Sequence, residues 1–442
     1  MKVSGWGRYP VVETNIFAPR TEDALRELIA EHPSLIARGN GRAYGDSAVS
    51  SLTTVQTRHL NKMISFDQTT GQLVAEAGVL LGDVIDAFLP RGWFPIVTPG
   101  TKFVTLGGAI AADVHGKNHH VDGSFRCCVD WIDIMGADGR VQRCSPIENV
   151  ELFECSLGGM GLTGFILRAA IRLRPVDSGW IRQSAQVAPN LEAAIEVFDH
   201  TQQATYSVAW IDCLGAGDKL GRSIVMSGTH ATVSDLAPRH LSNRYPMAKK
   251  GRLSVPFNCP TAALNKYSVR AFNALYYWAG QRKAGGTSLV DYDRFFYPLD
   301  SILGWNKIYG RKGFVQFQCV LPLNSSRDGL TALLTEISKH GLGSFLAVLK
   351  RLGPQNSRFS FPQEGYTLAL DFPVNEKTLK LQDTLYDIAA GFGGRFYLAK
   401  DSCMSAEVLR RSDGRVDSFV TSRREQGWSE RFHSAQSERL CL

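Results

Sequence analysis

Cysteine is present in this 442-residue chain but in no arrangement that builds structure. The nine thiols, at 127, 128, 144, 155, 213, 259, 319, 403 and 441, are odd in number and include no C-x-x-C pair. That argues against a disulfide scaffold or zinc ribbon and leaves buried reduced thiols as the simplest reading. No run of apolar residues reaches the roughly 18 that a membrane-spanning helix needs. The opening stretch, Met1 to Arg8, lacks the apolar region of a secretory signal, so the expected location is cytoplasmic, or peripheral on the inner membrane. Internal repeats are missing, which excludes solenoids and arrays. So are the G-x-G-x-x-G of a nicotinamide Rossmann unit and the G-x-x-x-x-G-K-[ST] of a P-loop.

What is present is ordinary globular material: 44% hydrophobic and 21% charged residues, with a net charge of +7. Apolar spacing predicts a helix over 22–31 with Thr21 as its N-cap, and another over 81–89 stopped by Pro90 and Gly92. Strands are expected at 34–37, 54–60 and 73–77, the first breaking into a glycine-rich loop. Alternation of Ile171 and Leu173 with Arg172 and Arg174 ends at Pro175, a natural boundary. Beyond it, strand-like runs at 207–211, 313–321 and 366–372 mix with helical runs at 191–199, 330–340 and 379–390. The expectation is an α+β chain of two domains.

The segment 236–290 stands apart by charge. It holds no Asp or Glu, but carries Arg239, Arg244, Lys249, Lys250, Arg252, Lys266, Arg270, Arg282 and Lys283, interleaved with Phe257, Tyr267, Phe272, Tyr276, Tyr277 and Trp278. A solvated basic face is one reading; a peripheral contact with anionic lipid headgroups, or with a phosphorylated lipid substrate, is the other. Nucleic acid is not expected, because no recognition motif accompanies the charge.

Three glycine-rich segments, 38–46, 99–113 and 157–164, lie in the first 165 residues. Glycine turns leave backbone N–H groups free to face phosphate oxygens, and three of them with Arg38 and Arg42 alongside point to a dinucleotide diphosphate. The first, Arg38-Gly39-Asn40-Gly41-Arg42-Ala43-Tyr44-Gly45-Asp46, resembles the pyrophosphate loop of FAD enzymes in the vanillyl-alcohol oxidase/p-cresol methylhydroxylase superfamily. Pro99-Gly100-Thr101, Thr105 to Ile110, His115 to His120, Gly161 to Gly164 and Tyr397 to Ser402 narrow the resemblance to the branch of decaprenylphosphoryl-β-D-ribose 2′-oxidases, and it runs from Gly5 to about Arg424.

The resemblance implies a two-domain PCMH-type FAD-binding fold: a cofactor domain over 1–175, completed by 393–442, and an antiparallel-sheet substrate domain over 176–392. It implies FAD held by Arg38, Gly39, Asn40, Gly41, Arg42, Ala43, Tyr44, Pro99, Gly100, Thr101, Thr105, Gly107, Gly108, Ala109, Asp113, Gly161, Leu162, Thr163, Gly164 and Tyr397. His115, Gly116 and Lys117 would lie beside the flavin ring. Many relatives attach the flavin through a His where this chain has Arg42, so a non-covalent cofactor is expected. Trp210, Gln316, Gln318, Lys350 and Lys400 match substrate-pocket positions, with Lys400 and His115 as the catalytic pair. Ala369, Thr367 and Leu352 depart from the family Cys, Asn and Phe, which leaves the exact lipid and sugar open.

The implied activity is oxidation of the C2 hydroxyl of a polyprenyl-phosphoryl pentofuranose to the 2-keto sugar, with an NAD(P)H-dependent short-chain reductase as the partner that completes epimerisation for cell-wall arabinan. A soluble sugar or aldonolactone oxidase of the same superfamily, and a non-catalytic flavin- or lipid-binding protein, remain as alternatives. The residues alone also allow plainer roles. Lys400 before Asp401 reads as a surface ion pair, Trp210 as a core aromatic, Lys117 and Lys350 as solvated, and Gln316 and Gln318 as one polar strand face. His115 and His119 are four apart, yet no acidic cluster follows them, so no metal is expected.

Overall fold

A computed structural model describes residues 1–247, 253–260, 264–344 and 346–442. Lys249, Lys250 and Arg252 of the basic segment lie outside the described residues. The chain is α+β, as anticipated, and two sheets organise it. The six-stranded sheet is antiparallel in the order Val141–Cys144, Val129–Met135, Phe165–Pro175, Gln72–Glu76, Met63–Asp67, with Trp93–Pro95 also on the long strand Phe165–Pro175. Beside it, Asn15–Phe17, Thr53–Gln56 and Ile36–Arg38 form a small parallel sheet with Thr53–Gln56 at its centre.

The larger sheet has eight strands in the order Thr287–Asp291, Trp180–Ala188, Ser223–His230, Tyr206–Ile211, Ala347–Leu352, Gly365–Pro373, Phe314–Pro322, Arg395–Phe396. Its two faces have different tasks because side chains alternate along each strand. One face is apolar: Ala209, Ile211, Leu349, Leu368, Leu370, Phe317 and Cys319 pack under the helices Leu191–His200, Ser326–His340 and Glu376–Gly391. The opposite face carries Gln316, Gln318, Thr367, Ala369, Asp371, Val348 and Lys350, and it looks toward the glycine loops.

The helices begin where their caps dictate. Thr21 accepts from the Ala24 N–H, Asn190 from Ala193 and Asn375 from Thr378, each satisfying a donor that the first helical turn leaves unpaired. The C-terminal segment closes back on the start of the chain. Leu35 bridges Phe432, and buried Arg423 donates to the carbonyls of Leu162 (3.1 Å) and Phe432 (2.6 Å).

Arg439, in the helix Ala435–Leu440, donates to both carboxylate oxygens of Asp46 (3.1 and 2.8 Å) and to Asp401 (2.9 Å). Both acids are 2% exposed, so removing the guanidinium leaves two buried carboxylates without their cation. Arg439→Ala is expected to lower the unfolding free energy by roughly 3 kcal/mol, read in urea. A loss under about 0.5 kcal/mol, the scale of a surface substitution, would show that the clamp carries no load.

Candidate active site

The first glycine loop leaves the parallel strand Ile36–Arg38 and runs against the turn Tyr397–Asp401. Gly39 has no room for a side chain, since a Cβ there would sit 2.2 Å from Thr105 Oγ1. Gly41 has φ +60°, the left-handed region that glycine adopts freely. Asn40 anchors the loop by donating to the Phe103 carbonyl at 2.8 Å. Across from it, Thr105 caps the short helix Leu106–Ala111 by accepting from Gly108.

These elements and the polar face of the large sheet enclose one cavity of about 320 Å3. The anticipated residues 39–44, 99–101, Thr105, Gly107, Gly108, His115, Gly161, Gly164, Tyr397, Gln316, Gln318, Lys350 and Lys400 all line it. Others stand behind its walls. Arg38 turns away to the carbonyls of Ser4 and Ala48. Ala109 and Leu162 are core, and Thr163 pairs with Ser156 Oγ at 2.7 Å. Gly116 is pinned against Thr98 and Asn118. Asp113 binds Ser124, Ser360, Gln355 and the Arg126 N–H, so its carboxylate serves the framework. Lys117 donates to the Phe295 carbonyl with its Nζ 4.2 Å from that residue's ring centroid.

Trp210 lies on the cavity face of the sheet but outside the lining. The register runs Gln318, Ala369, Val348, Trp210 across neighbouring strands, which puts the indole one strand beyond Val348. There it is buried against Ile224, Tyr276 and Tyr277 beneath the helix Lys266–Lys283. Of the departures, Thr367 and Ala369 face the cavity, whereas Leu352 packs with Val320, Phe361 and Tyr397.

Asp371, Asp300, Trp6 and Trp305 also line the cavity and were not anticipated. For Asp371 a signal existed: Thr367, Ala369 and Asp371 step by two along one strand, so a pocket that takes the first two takes the third. Trp6 comes from a turn and Trp305 from the start of the 3-10 helix Trp305–Tyr309, and only the tertiary fold brings them to the cavity.

Burial shapes the electrostatics. It pushes the Lys350 ammonium down to about 8 and the Lys117 ammonium down to about 7, the latter helped by Lys350. His115 is held well below its ordinary range, by burial first and then by Lys350, His119 and Lys400. Its ring is therefore neutral. Gln318 Nε2 donates to His115 Nε2 at 3.1 Å, which leaves the proton on Nδ1, a buried atom with no protein partner. Lys400 Nζ sits 3.4 Å from the Tyr44 ring centroid. Burial lowers its proton affinity, Asp371 raises it, and Lys350 lowers it further. Asp371 moves the opposite way: burial raises its carboxyl, while Gln316 and Lys400 pull it down.

A dinucleotide fits these residues. Among the described residues, no backbone N–H from Gly39 to Ala43 donates a hydrogen bond within the protein. Arg42 Nε and Gln316 Oε1 are likewise buried without partners. Successive free amides in a glycine turn are a phosphate cradle. Arg42 stacks its guanidinium over the Trp6 and Phe103 rings, 4.0 and 5.1 Å from their centroids.

Comparison with known proteins agrees. Residues 14–145 match the family model of an FAD binding domain. The whole chain is 32% identical to the decaprenylphosphoryl-beta-D-ribose oxidase of Mycolicibacterium smegmatis, covering 97% of that protein. The chain belongs to this oxidase family. Over 82% of its length it is also 31% identical to an uncharacterized Streptomyces coelicolor protein, all of which it covers. Bovine L-gulonolactone oxidase is 25% identical over 40% of the chain, covering 41% of that enzyme. The protein is thus an FAD-dependent oxidoreductase.

Gly39→Ala drives a methyl into Thr105 and displaces the loop. We expect a purified variant with unchanged far-ultraviolet circular dichroism but at least about tenfold weaker FAD binding, which corresponds to 1.4 kcal/mol, read from visible absorbance on titration. Full occupancy at stoichiometric FAD would remove the loop from the cofactor site.

Proposed function

We propose that the protein oxidises the C2 hydroxyl of a polyprenyl-phosphoryl pentofuranose of the ribose type to the 2-keto sugar. One observation carries this reading: a single cavity joins the unpaired amides of the first glycine loop to the half-buried Lys400 and Lys350 and the buried Gln316 and Gln318. Full-length similarity to an oxidase named for such a substrate supports it. FAD would be held, without a covalent bond, by the 39–44 loop, Pro99–Thr101, Thr105–Gly108 and the 161–164 turn. When bound it supplies the two-electron acceptor for the carbinol hydrogen.

The chain's own groups handle the proton and the charge. Lys400, as the neutral amine that burial favours, accepts a hydrogen bond from the reacting hydroxyl and takes its proton; as ammonium it stabilises negative charge developing nearby. Neutral His115 offers Nδ1–H as a fixed donor that orients a ligand oxygen. Lys350 gives the phosphodiester a cation. An NAD(P)H-dependent short-chain reductase would then return the ketone with the opposite configuration.

Lipid approach in this reading uses the helix Lys266–Lys283. Asn273 fixes its inner face by donating to Asp212 Oδ1 at 2.7 Å, and Tyr277 donates to the Ala188 carbonyl. The outer face then exposes Tyr267, Leu275 and Trp278 beside Arg270 and Arg282, with no acid on the helix. Aromatics ringed by cations suit an anionic bilayer surface. No helix among the described residues is long and apolar enough to cross a membrane. Leu275→Ser with Trp278→Ser should cut sedimentation with phosphatidylglycerol vesicles at least about fivefold, since each removes an exposed apolar side chain that a bilayer would bury. Unchanged sedimentation would assign the face to solvent.

The deciding experiment is anaerobic. A short polyprenyl-phosphoryl ribose should bleach the flavin of the wild type. Lys400→Ala should keep its yellow colour and its FAD but lose reduction by about 100-fold or more. Bleaching by free pentoses or aldonolactones alone would move the protein to the soluble-sugar oxidases, and a Lys400→Ala variant reduced at the wild-type rate would overturn the role given to that lysine.

A further inference from the structure

Asp371 is 1% exposed yet reaches two cavities. It lines the large one with Lys400 and Gln316, and it walls a second, of about 40 Å3, bounded by Tyr309, Lys266, Gly341 and Phe372. Gln316 Nε2 donates to Oδ1, and the Tyr309 hydroxyl donates to Oδ2 at 3.4 Å. No arginine or lysine hydrogen-bonds to this carboxylate among the described residues. A buried carboxylate supported only by neutral donors is costly to hold. An amide of the same shape would fill the space without that cost, so the position calls for an acid.

We infer that Asp371 is a positioning residue for Lys400 and its proton relay to solvent, through the small cavity beneath the start of the helix Lys266–Lys283. The inference rests on the alcohol oxidation proposed above. The O–H bond of the substrate breaks and an N–H bond forms on the Lys400 amine; because no hydrogen bond joins the amine to the carboxylate directly, that proton passes across a water of the shared cavity to an Asp371 oxygen and on to solvent. The carbinol carbon loses hydride to the flavin oxidant that the enzyme's activity already supplies, so the alcohol is oxidised by two electrons and one proton leaves the protein. A space of 40 Å3 admits a water molecule at the far side of the carboxylate.

The groups facing Asp371 are Lys400 from the turn before Asp401, Tyr44 from the glycine loop, Tyr309 and Gln316. Beyond them stand Lys350, Asp300 with Arg42, Cys213 and, across the small cavity, Lys266. Tyr44 and Tyr309 are held far above the range in which they would ionise. That leaves Lys400 and Asp371 as the pair whose proton affinities burial drives toward each other, as a relay requires.

The test compares wild type, Asp371→Asn and Asp371→Glu as FAD-loaded proteins. In the wild type, repeated turnover under anaerobic conditions with an artificial electron acceptor that reoxidises the flavin rises with pH as Lys400 loses its proton. Asp371 raises the Lys400 pKa, so its removal should shift that rising limb to lower pH, while the plateau falls at least tenfold because the exit is lost. Asp371→Glu should restore the limb and part of the plateau. Infrared titration, which needs no substrate, should show a buried carboxyl band that Asp371→Asn abolishes. A lower plateau with an unmoved limb, a wild-type plateau in Asp371→Asn, or an unchanged infrared band overturns the relay. If wild-type flavin is reduced by no polyprenyl-phosphoryl sugar, the substrate reading fails instead, while the infrared result still decides whether Asp371 exchanges a proton.

Discussion

The site depends on a backbone contact between residues far apart in the chain. A Cβ on Gly45 would lie 2.0 Å from the Asp401 carbonyl oxygen, and the Tyr44 N–H donates to the Ala399 carbonyl at 2.9 Å. The first glycine loop and the Lys400 turn therefore touch main chain to main chain, with no side chain between them. Arg439 locks the pair from behind through Asp46 and Asp401. Because Asp46 ends the first glycine loop and Asp401 directly follows Lys400, one guanidinium sets the distance between that loop and the Lys400 turn. The C-terminal helix is thereby part of the active site's geometry without lining it.

The large sheet supplies the other wall through simple alternation. Gln316 and Gln318, Thr367, Ala369 and Asp371, and Val348 and Lys350 face the cavity because their neighbours in sequence face the helices. That alternation lets one strand carry both core and chemistry, and it explains why the departures at Thr367 and Ala369 change the lining while Leu352 changes only packing. Ala369 pairs with Gln318 across the neighbouring strand, and Gln318 donates from there to His115.

Elements with strong local signals were legible in the sequence. The helix over 22–31 with Thr21 as cap has those bounds in the structure, and 81–89 and 191–199 agree within one residue. The strand expected at 54–60 stops at Gln56 because Thr57 to Leu60 folds into a turn, with Leu60 donating back to Thr57. The helix expected at 330 begins at Ser326, whose hydroxyl donates to the carbonyls of Leu321 and Pro322. Strands of two or three residues, such as Lys2–Ser4 and Arg395–Phe396, carry no periodicity and exist only through their partners. For the site, motif residues on glycine turns could be read directly. Whether a residue faces the cavity or its back could not, because this depends on strand register and on bonds such as those that turn Asp113 and Lys117 away. Trp210 illustrates the limit: it shares the cavity face of the sheet with its cross-strand partner Val348, yet lies one strand beyond the lining.

Charge explains why such a cavity has to be filled. Lys117, Lys350 and Lys400 are all withdrawn from water, and Lys350 depresses the proton affinity of His115, His119, Lys117 and Lys400 alike. Asp371 is the carboxylate that opposes this at Lys400. Each lysine is thus held near the point where it gives up its proton, a condition costly in an empty site and relieved by an anion. In the reading proposed above, phosphate-bearing ligands would supply that anion at two places: a diphosphate at the amides of 39–43, and a phosphodiester near Lys350. Binding of either raises the proton affinity of the lysines it approaches, so ligand binding and proton uptake are linked. In that reading a ligand phosphate beside Lys350 would offset its positive charge and so raise the proton affinity of Lys400, the amine proposed to take the hydroxyl proton.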